Sequence, residues 1–141
     1  MPIQFFTHEI SFQLKNKTKL KLWIDSAFKQ HKKNLKSITY VFCSDEYLLE
    51  INQGFLQHDF YTDVITFDYS TKNEVESEIY ISIDRVKENA KELQTKFEDE
   101  LHRVMIHGIL HLCGMKDKTK AQKADMRLAE DKYLNTLKKK K

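Results

Sequence analysis

The chain has 141 residues, 40% hydrophobic and 32% charged, with a formal net charge of +3; that length is one ordinary domain with a single sizeable core, and a pI near 8.7 is below the level at which charge alone argues for nucleic acid. No apolar run approaches the roughly 20 residues that span a bilayer, and the opening MPIQFF lacks the basic start and apolar stretch of a secretory signal. The composition therefore predicts a soluble cytosolic protein with no membrane partner, and two cysteines, Cys43 and Cys113, are too few for a disulfide framework and agree with a reducing compartment.

In chain order, Ile3 to Thr7 and Ile10 to Leu14 read as extended segments. Lys19 to His31 carries Leu20, Trp23, Ile24, Ala27 and Phe28 at helical spacing. Ser37 to Cys43 is β-branched and aromatic, as a buried strand should be. Ser44, followed by Asp45 and Glu46, predicts a capped helix from Tyr47 to about Leu56. Val64 to Tyr69 and Glu78 to Ile83 read as two strands joined by the polar segment TKNEVES, suited to a hairpin. Asp84 is placed to cap a helix through about Gln94, and Thr95 with Glu98 has the capping-box pattern at the head of the next helix. A last helix runs from about Lys120 to Leu137, and Lys138 to Lys141 form a basic tail expected to be disordered. One proline, three glycines and no repeats fit a single domain over residues 1–141. The predicted class is α+β, a small mixed sheet covered mainly on one side by helices, with a metal site on a helix of the C-terminal half in a zincin-like arrangement.

That site is read from LHRVMIHGILHLCGMKD. His107 and His111 are four residues apart, and Asp117 follows the first of them by ten. At about 100° per residue, side chains at i and i+4 stack on one helix face and can share an ion. Gly114 lets the chain leave the helix through a left-handed turn, which allows Asp117 to fold back as a third ligand. Three protein ligands leave one position open, the mark of a catalytic rather than a structural ion. A single histidine on an amphipathic helix is usually a boundary residue; two on one face followed by a glycine and an acid are not so simply explained. Cys113, turned about 200° from His111, is not counted as a ligand. Gly108, inside the helix, costs about 1 kcal/mol relative to alanine and asks for a close approach by another backbone or by substrate. It also removes the glutamate base of HExxH metalloproteases. Beyond the site, Lys116, Lys118, Lys120, Lys123 and Arg127 form a basic cluster that would attract phosphate.

These residues resemble the YbeY family. His107-Gly-Ile-Leu-His111-Leu-Cys-Gly114, with a ligand three residues on, is similar to that family's HGxLHLxGYDH signature. The stretch from Asn52 through Phe55, Asp59, Thr62, Asp63, Val64, Thr66 and Phe67 resembles its loop-and-strand segment NxxYRxxDxxTDVLSF, and Glu78 to Ser82 resembles its GDIxIS strand. The resemblance, over about residues 40 to 135, implies a bacterial zinc-dependent endoribonuclease specific for single strands. Such an enzyme acts in 16S ribosomal RNA 3′-end processing and ribosome quality control, with the ribosome or its proteins as partners and no DNA substrate. It implies one zinc ion on His107, His111 and Asp117, which are also the catalytic residues. Two departures bear on mechanism. Asp117 replaces the third histidine, a donor zinc also accepts, and Leu56 stands where the family carries an arginine. His58, Lys116 and Lys118 are candidates to contact substrate in its place. Thr62, Asp63 and Thr66 either support the site or cap turns and strands. Rival readings are a ribosome-associated assembly factor with a structural zinc, a non-haem iron site with the same donor types, and hydrolysis of a small metabolite.

Overall fold

A computed structural model describes residues 2–55 and 62–139 of the chain. Nine elements follow in order: β1 (Ile3–Thr7), α1 (Lys17–Gln30), β2 (Leu35–Cys43), α2 (Asp45–Phe55), β3 (Val64–Asp68), β4 (Val75–Ser82), α3 (Ile83–Leu93), α4 (Phe97–Leu112) and α5 (Lys120–Lys139). The strands form one sheet in the order β1-β2-β4-β3. β1 and β4 both run parallel to β2, and β3 pairs antiparallel with β4. This is the expected single-domain α+β protein with a mixed sheet.

Alternation decides which face is covered. In β2, Ile38, Tyr40 and Phe42 are buried while the residues between them are not, and the register sets Tyr40 beside Ile79 and Phe42 beside Ile81. That face receives α1 through Leu20, Trp23, Ile24, Ala27 and Phe28, the five residues whose spacing marked the helix. α4 buries Leu101, Val104, Met105, Ile106, Ile109 and Leu110 in the same core. Burying each large side chain contributes about 1.5–3 kcal/mol. Among the described residues the opposite face carries a small cluster of Cys43, Leu48, Ile51 and Ile65 under α2, so their covering of the sheet is mainly one-sided.

Two buried hydrogen bonds fix the helices on the core. The Tyr40 hydroxyl donates to the Met105 carbonyl of α4 at 2.9 Å, and the Trp23 indole N–H donates to the Tyr133 carbonyl of α5 at 2.9 Å. Gly108 of α4 lies where the helix crosses the sheet: a Cβ there would meet Ile79 Cδ1 at 3.1 Å and Thr66 Oγ1 at 3.4 Å. The close approach expected at this glycine is therefore to strand side chains. Gly108→Val should overpack the contact and lower unfolding stability by about 1–3 kcal/mol, read as a lower urea midpoint. An unchanged midpoint would mean the helix can lift off the sheet without cost.

Several sequence expectations need correction. Ile10 to Leu14 is no strand: Ile10, Phe12 and Leu14 turn inward onto the core, giving the alternation, but the segment has no ladder partner among the described residues. The cap of α3 is Ser82, whose hydroxyl accepts from the Arg85 N–H at 3.1 Å, while Asp84 accepts from the Asp45 N–H at 2.9 Å. Thr95 forms no capping box, because its N–H donates to the Ala90 carbonyl in closing α3, and α4 starts from Lys96 with no side-chain cap. β4 begins at Val75, inside the expected connection, and α5 runs through Lys139, two residues into the stretch expected as a tail. The Ser44 cap does form, its hydroxyl accepting from the Tyr47 N–H at 3.1 Å. No helix among the described residues is long and apolar enough to cross a membrane.

Candidate active site

The end of α4 is shaped by its glycine. Gly114 has φ +104, its N–H donates to the His111 carbonyl at 3.0 Å, and the Met115 N–H donates to the Leu110 carbonyl at 3.1 Å. That pair of bonds is a Schellman close, which needs a residue free to enter the left-handed region. It turns the chain back so that Asp117 faces the histidine stripe: Asp117 Oδ2 lies 3.2 Å from His107 Nε2, and Asp117 Oδ1 lies 3.8 Å from His111 Nε2. The two imidazole rings stand 5.8 Å apart, nearly perpendicular. Gly114→Ala should cost about 1 kcal/mol, the penalty for forcing Cβ into that region. The expected reading is a melting temperature lower by a few degrees; an unaltered one would show that the turn does not constrain the chain.

The three side chains are neighbours without forming a closed coordination shell; among the described residues no group of three or more His, Cys, Asp or Glu is arranged ready to hold an ion. Their chemistry nevertheless suits one. His107 Nδ1 lies 2.7 Å from Glu130 Oε2, and since a carboxylate can only accept, Nδ1 carries the proton there. Nε2 then directs its lone pair at the Asp117 carboxylate, which is repulsive unless a cation lies between them. A second proton on the imidazole meets that need, and so would a divalent metal. The Glu130 hydrogen bond is the main reason the His107 pKa is raised, against an opposing effect of burial.

Glu130 is a site residue that the sequence reading missed. It is buried in α5 and also accepts from Arg103 Nη1 at 2.8 Å, while Arg103 Nη2 reaches Asp131 at 2.5 Å. The relay Arg103–Glu130–His107 fixes the tautomer and direction of the imidazole, as outer partners of metal-binding histidines do. A signal existed: Met126, Glu130, Tyr133, Leu134 and Leu137 form the buried stripe of α5, and a glutamate in such a stripe needs a partner.

A cleft of about 420 Å³ opens beside His107, between α4, α5 and the start of β3. Asp63, Glu100, Arg103, Asp117, Lys123 and Arg127 contribute to its walls. His111 is outside this lining, with its side chain 45% exposed. Asp63 is held by Asn89 Nδ2 at 3.2 Å; burial raises its carboxyl pKa, opposed by its own backbone N–H and by His107. Thr62 donates to the Val64 carbonyl at 3.4 Å, a turn contact, and Thr66 packs under Gly108. Lys116 and Lys118 are exposed on the connection to α5 and do not line the cleft; Lys123 and Arg127 of the same basic cluster do. Leu56 and His58 fall outside the described residues.

The fold is similar to that of TM1509 from Thermotoga maritima, known from a solution structure. The two match with a TM-score of 0.65 and 27% identity over 96% of this chain and 88% of that one. The sequence profile described as Endoribonuclease YbeY matches residues 3–138. Proteins named Endoribonuclease YbeY from Cytophaga hutchinsonii and Flavobacterium psychrophilum are 48% and 50% identical, covering 94% and 92% of this chain and the same shares of their own lengths. A third of that name, from Porphyromonas gingivalis, is 47% identical over 94% of this chain and 87% of its own. The chain belongs to the YbeY endoribonuclease family.

Proposed function

We propose that this protein is an endoribonuclease that hydrolyses single-stranded RNA where His107, His111 and Asp117 meet, with one zinc ion as cofactor and precursor ribosomal RNA in the cytoplasm as substrate. The observation that carries the reading is the convergence of the Asp117 carboxylate on Nε2 of both imidazoles, 3.2 and 3.8 Å away, at the edge of a cleft open to solvent. Membership of a family whose relatives are named for endoribonuclease activity agrees with it. Bound there, a divalent ion would supply Lewis acidity to a phosphodiester.

The protein's own groups have separate tasks. Glu130 keeps the proton on His107 Nδ1, so Nε2 stays available as a donor atom. Arg103 neutralises Glu130 and holds its carboxylate beside His107. Asp117, a carboxylate where the family signature has histidine, makes the site one charge more negative and a bound ion a weaker Lewis acid. A single strand can splay its unstacked nucleotides into such a cleft, whereas a duplex keeps them paired and stacked.

A purely structural zinc is the rival, and partial exposure speaks against it: the side chains of His111 and Asp117 are 45% and 35% exposed, while the core closes around other residues. The deciding experiment is metal analysis paired with cleavage of a single-stranded ribosomal RNA fragment, on the native chain and on Asp117→Ala. The native chain should retain about one zinc and cut; the variant should lose both. Chelation should abolish turnover and shift the melting temperature by only a few degrees, whereas a collapse of the fold would establish the structural role.

A further inference from the structure

We infer that the arm of the cleft running from His107 back to Glu100 is a nucleotide subsite, in which Lys123 and Arg127 hold a phosphate and Glu100 accepts a hydrogen bond from the attached nucleoside. The inference rests on the RNA-cleaving function proposed above and adds what the enzyme recognises beside the scissile bond.

Glu100 is the first observation. It is 7% exposed, yet among the described residues its carboxylate makes no hydrogen bond or ion pair. No buried side-chain nitrogen or oxygen among those residues is sealed without a partner, so the Glu100 oxygens open on the cleft they line. A buried carboxylate left to face a cavity is costly unless a donor arrives there. Its surroundings are mixed: burial is the largest influence raising its pKa, Asp63 and Glu130 add to it, and Arg103 and Arg127 oppose it. Arg127, on α5, thus acts on Glu100 across the cleft.

The second observation is the α5 wall. Lys123 and Arg127 are one turn apart and both line the cleft. Arg103 is committed to Glu130 and Asp131, but among the described residues neither Lys123 nor Arg127 closes an ion pair. Two cations at i and i+4 facing one cavity suit the oxygens of a phosphate. Glu100 and His107 are seven residues apart on α4, about 10 Å along the axis, room for a nucleoside and its phosphate beside the reacting bond. A nucleotide supplies acceptors to the α5 cations and donors to Glu100, either an exocyclic amine of the base or the ribose 2′-hydroxyl.

The test is binding of short labelled single strands to the full chain in chelator, followed by fluorescence anisotropy over a salt series. Lys123→Ala/Arg127→Ala should weaken binding at least tenfold near 0.1 M salt and reduce the slope of log affinity against log salt by about 0.7, the value for one phosphate neutralised on a single strand. Lys87→Ala/Lys91→Ala on exposed α3 removes the same charge away from the cleft and should leave the slope unchanged. Glu100→Gln keeps the shape and should remain folded by its melting curve. Loss of the native preference for RNA over DNA of the same sequence would assign Glu100 to the 2′-hydroxyl; loss of a preference among bases, with the RNA-to-DNA ratio kept, would assign it to the base. Native slope in the double variant, or unaltered preferences in Glu100→Gln, overturns the subsite. If the native chain cleaves while these variants behave as native, the subsite fails and the nuclease function stands. If it binds with the expected slope but never cleaves, the reverse holds, and a chain that binds no single strand sinks both.

Discussion

His111→Ala is expected to abolish RNA cleavage while leaving the fold almost untouched. Its imidazole stands 3.8 Å from Asp117 and is 45% exposed, so removal opens no cavity in the core and should change stability by no more than about 0.5 kcal/mol. The effect on activity is of another order. Loss of an outer partner typically lowers metal affinity or activity by about 10–100-fold, and loss of one of only three donor side chains should exceed that, reducing turnover more than about 100-fold and zinc content well below one per chain. Single-turnover cleavage and metal analysis on the same sample check it. Native turnover in a zinc-depleted variant would place the chemistry elsewhere.

The second large effect is at Glu130, where stability and activity should fall together. Glu130→Leu removes the acceptor shared by Arg103 Nη1 and His107 Nδ1 and puts an alkyl chain against two donors. Arg103 keeps Asp131, so the loss should be smaller than for a fully orphaned buried charge, about 2–3 kcal/mol, measured by urea unfolding. Zinc affinity should also drop about 10–100-fold because the imidazole is no longer oriented. The pH dependence has a definite sign. The Glu130 hydrogen bond raises the His107 pKa above its ordinary value, so in metal-free protein this contribution is fully present below the unfolded-state pKa of about 6.5 and is lost as pH rises through the higher folded-state value. The native chain in chelator should lose stability across that interval, and Glu130→Leu, left with only the lesser influence of Asp117 and Asp63, should lose less. Parallel pH curves for the two proteins would show that the pair does not contribute.

Features set by local patterns were legible in the sequence. The α1 stripe, the Ser44 cap and the Gly114 turn each depend on residues within one or two turns of one another, and each formed, as did the β3–β4 hairpin across its short polar connection. Features needing a distant partner were not. Ile10 to Leu14 alternates like a strand because the core attracts every second side chain, and only the sheet order shows that no strand among the described residues pairs with it. The capping-box pattern occurs at Thr95 and Glu98 and again at Thr119 and Gln122. Only the second forms, with the Thr119 N–H donating to Gln122 Oε1 at 3.0 Å and the Gln122 N–H donating to Thr119 Oγ1 at 3.1 Å; at Thr95 the backbone is already used to terminate α3. In the site, the i, i+4 histidines and the later aspartate could be read from helical geometry, and Asp117 does lie beside both. Glu130 could not be paired with His107 from spacing, since 23 residues separate them and only the docking of α5 on α4 brings them together. Likewise the sequence could not say which lysines of the basic cluster face the cleft, because that depends on how α5 is rolled about its axis.

The Trp23 to Tyr133 hydrogen bond ties the first helix to the last across 110 positions of sequence. Synthesis proceeds from the N-terminus, and early segments begin to fold first, so β1 to α4, with both histidines, exist before α5 does. A nascent polypeptide lacking α5 has no Glu130 to orient His107 and neither Lys123 nor Arg127. The contact that orients His107 therefore forms only when the final helix docks, the same step that brings the Tyr133 carbonyl to the Trp23 indole.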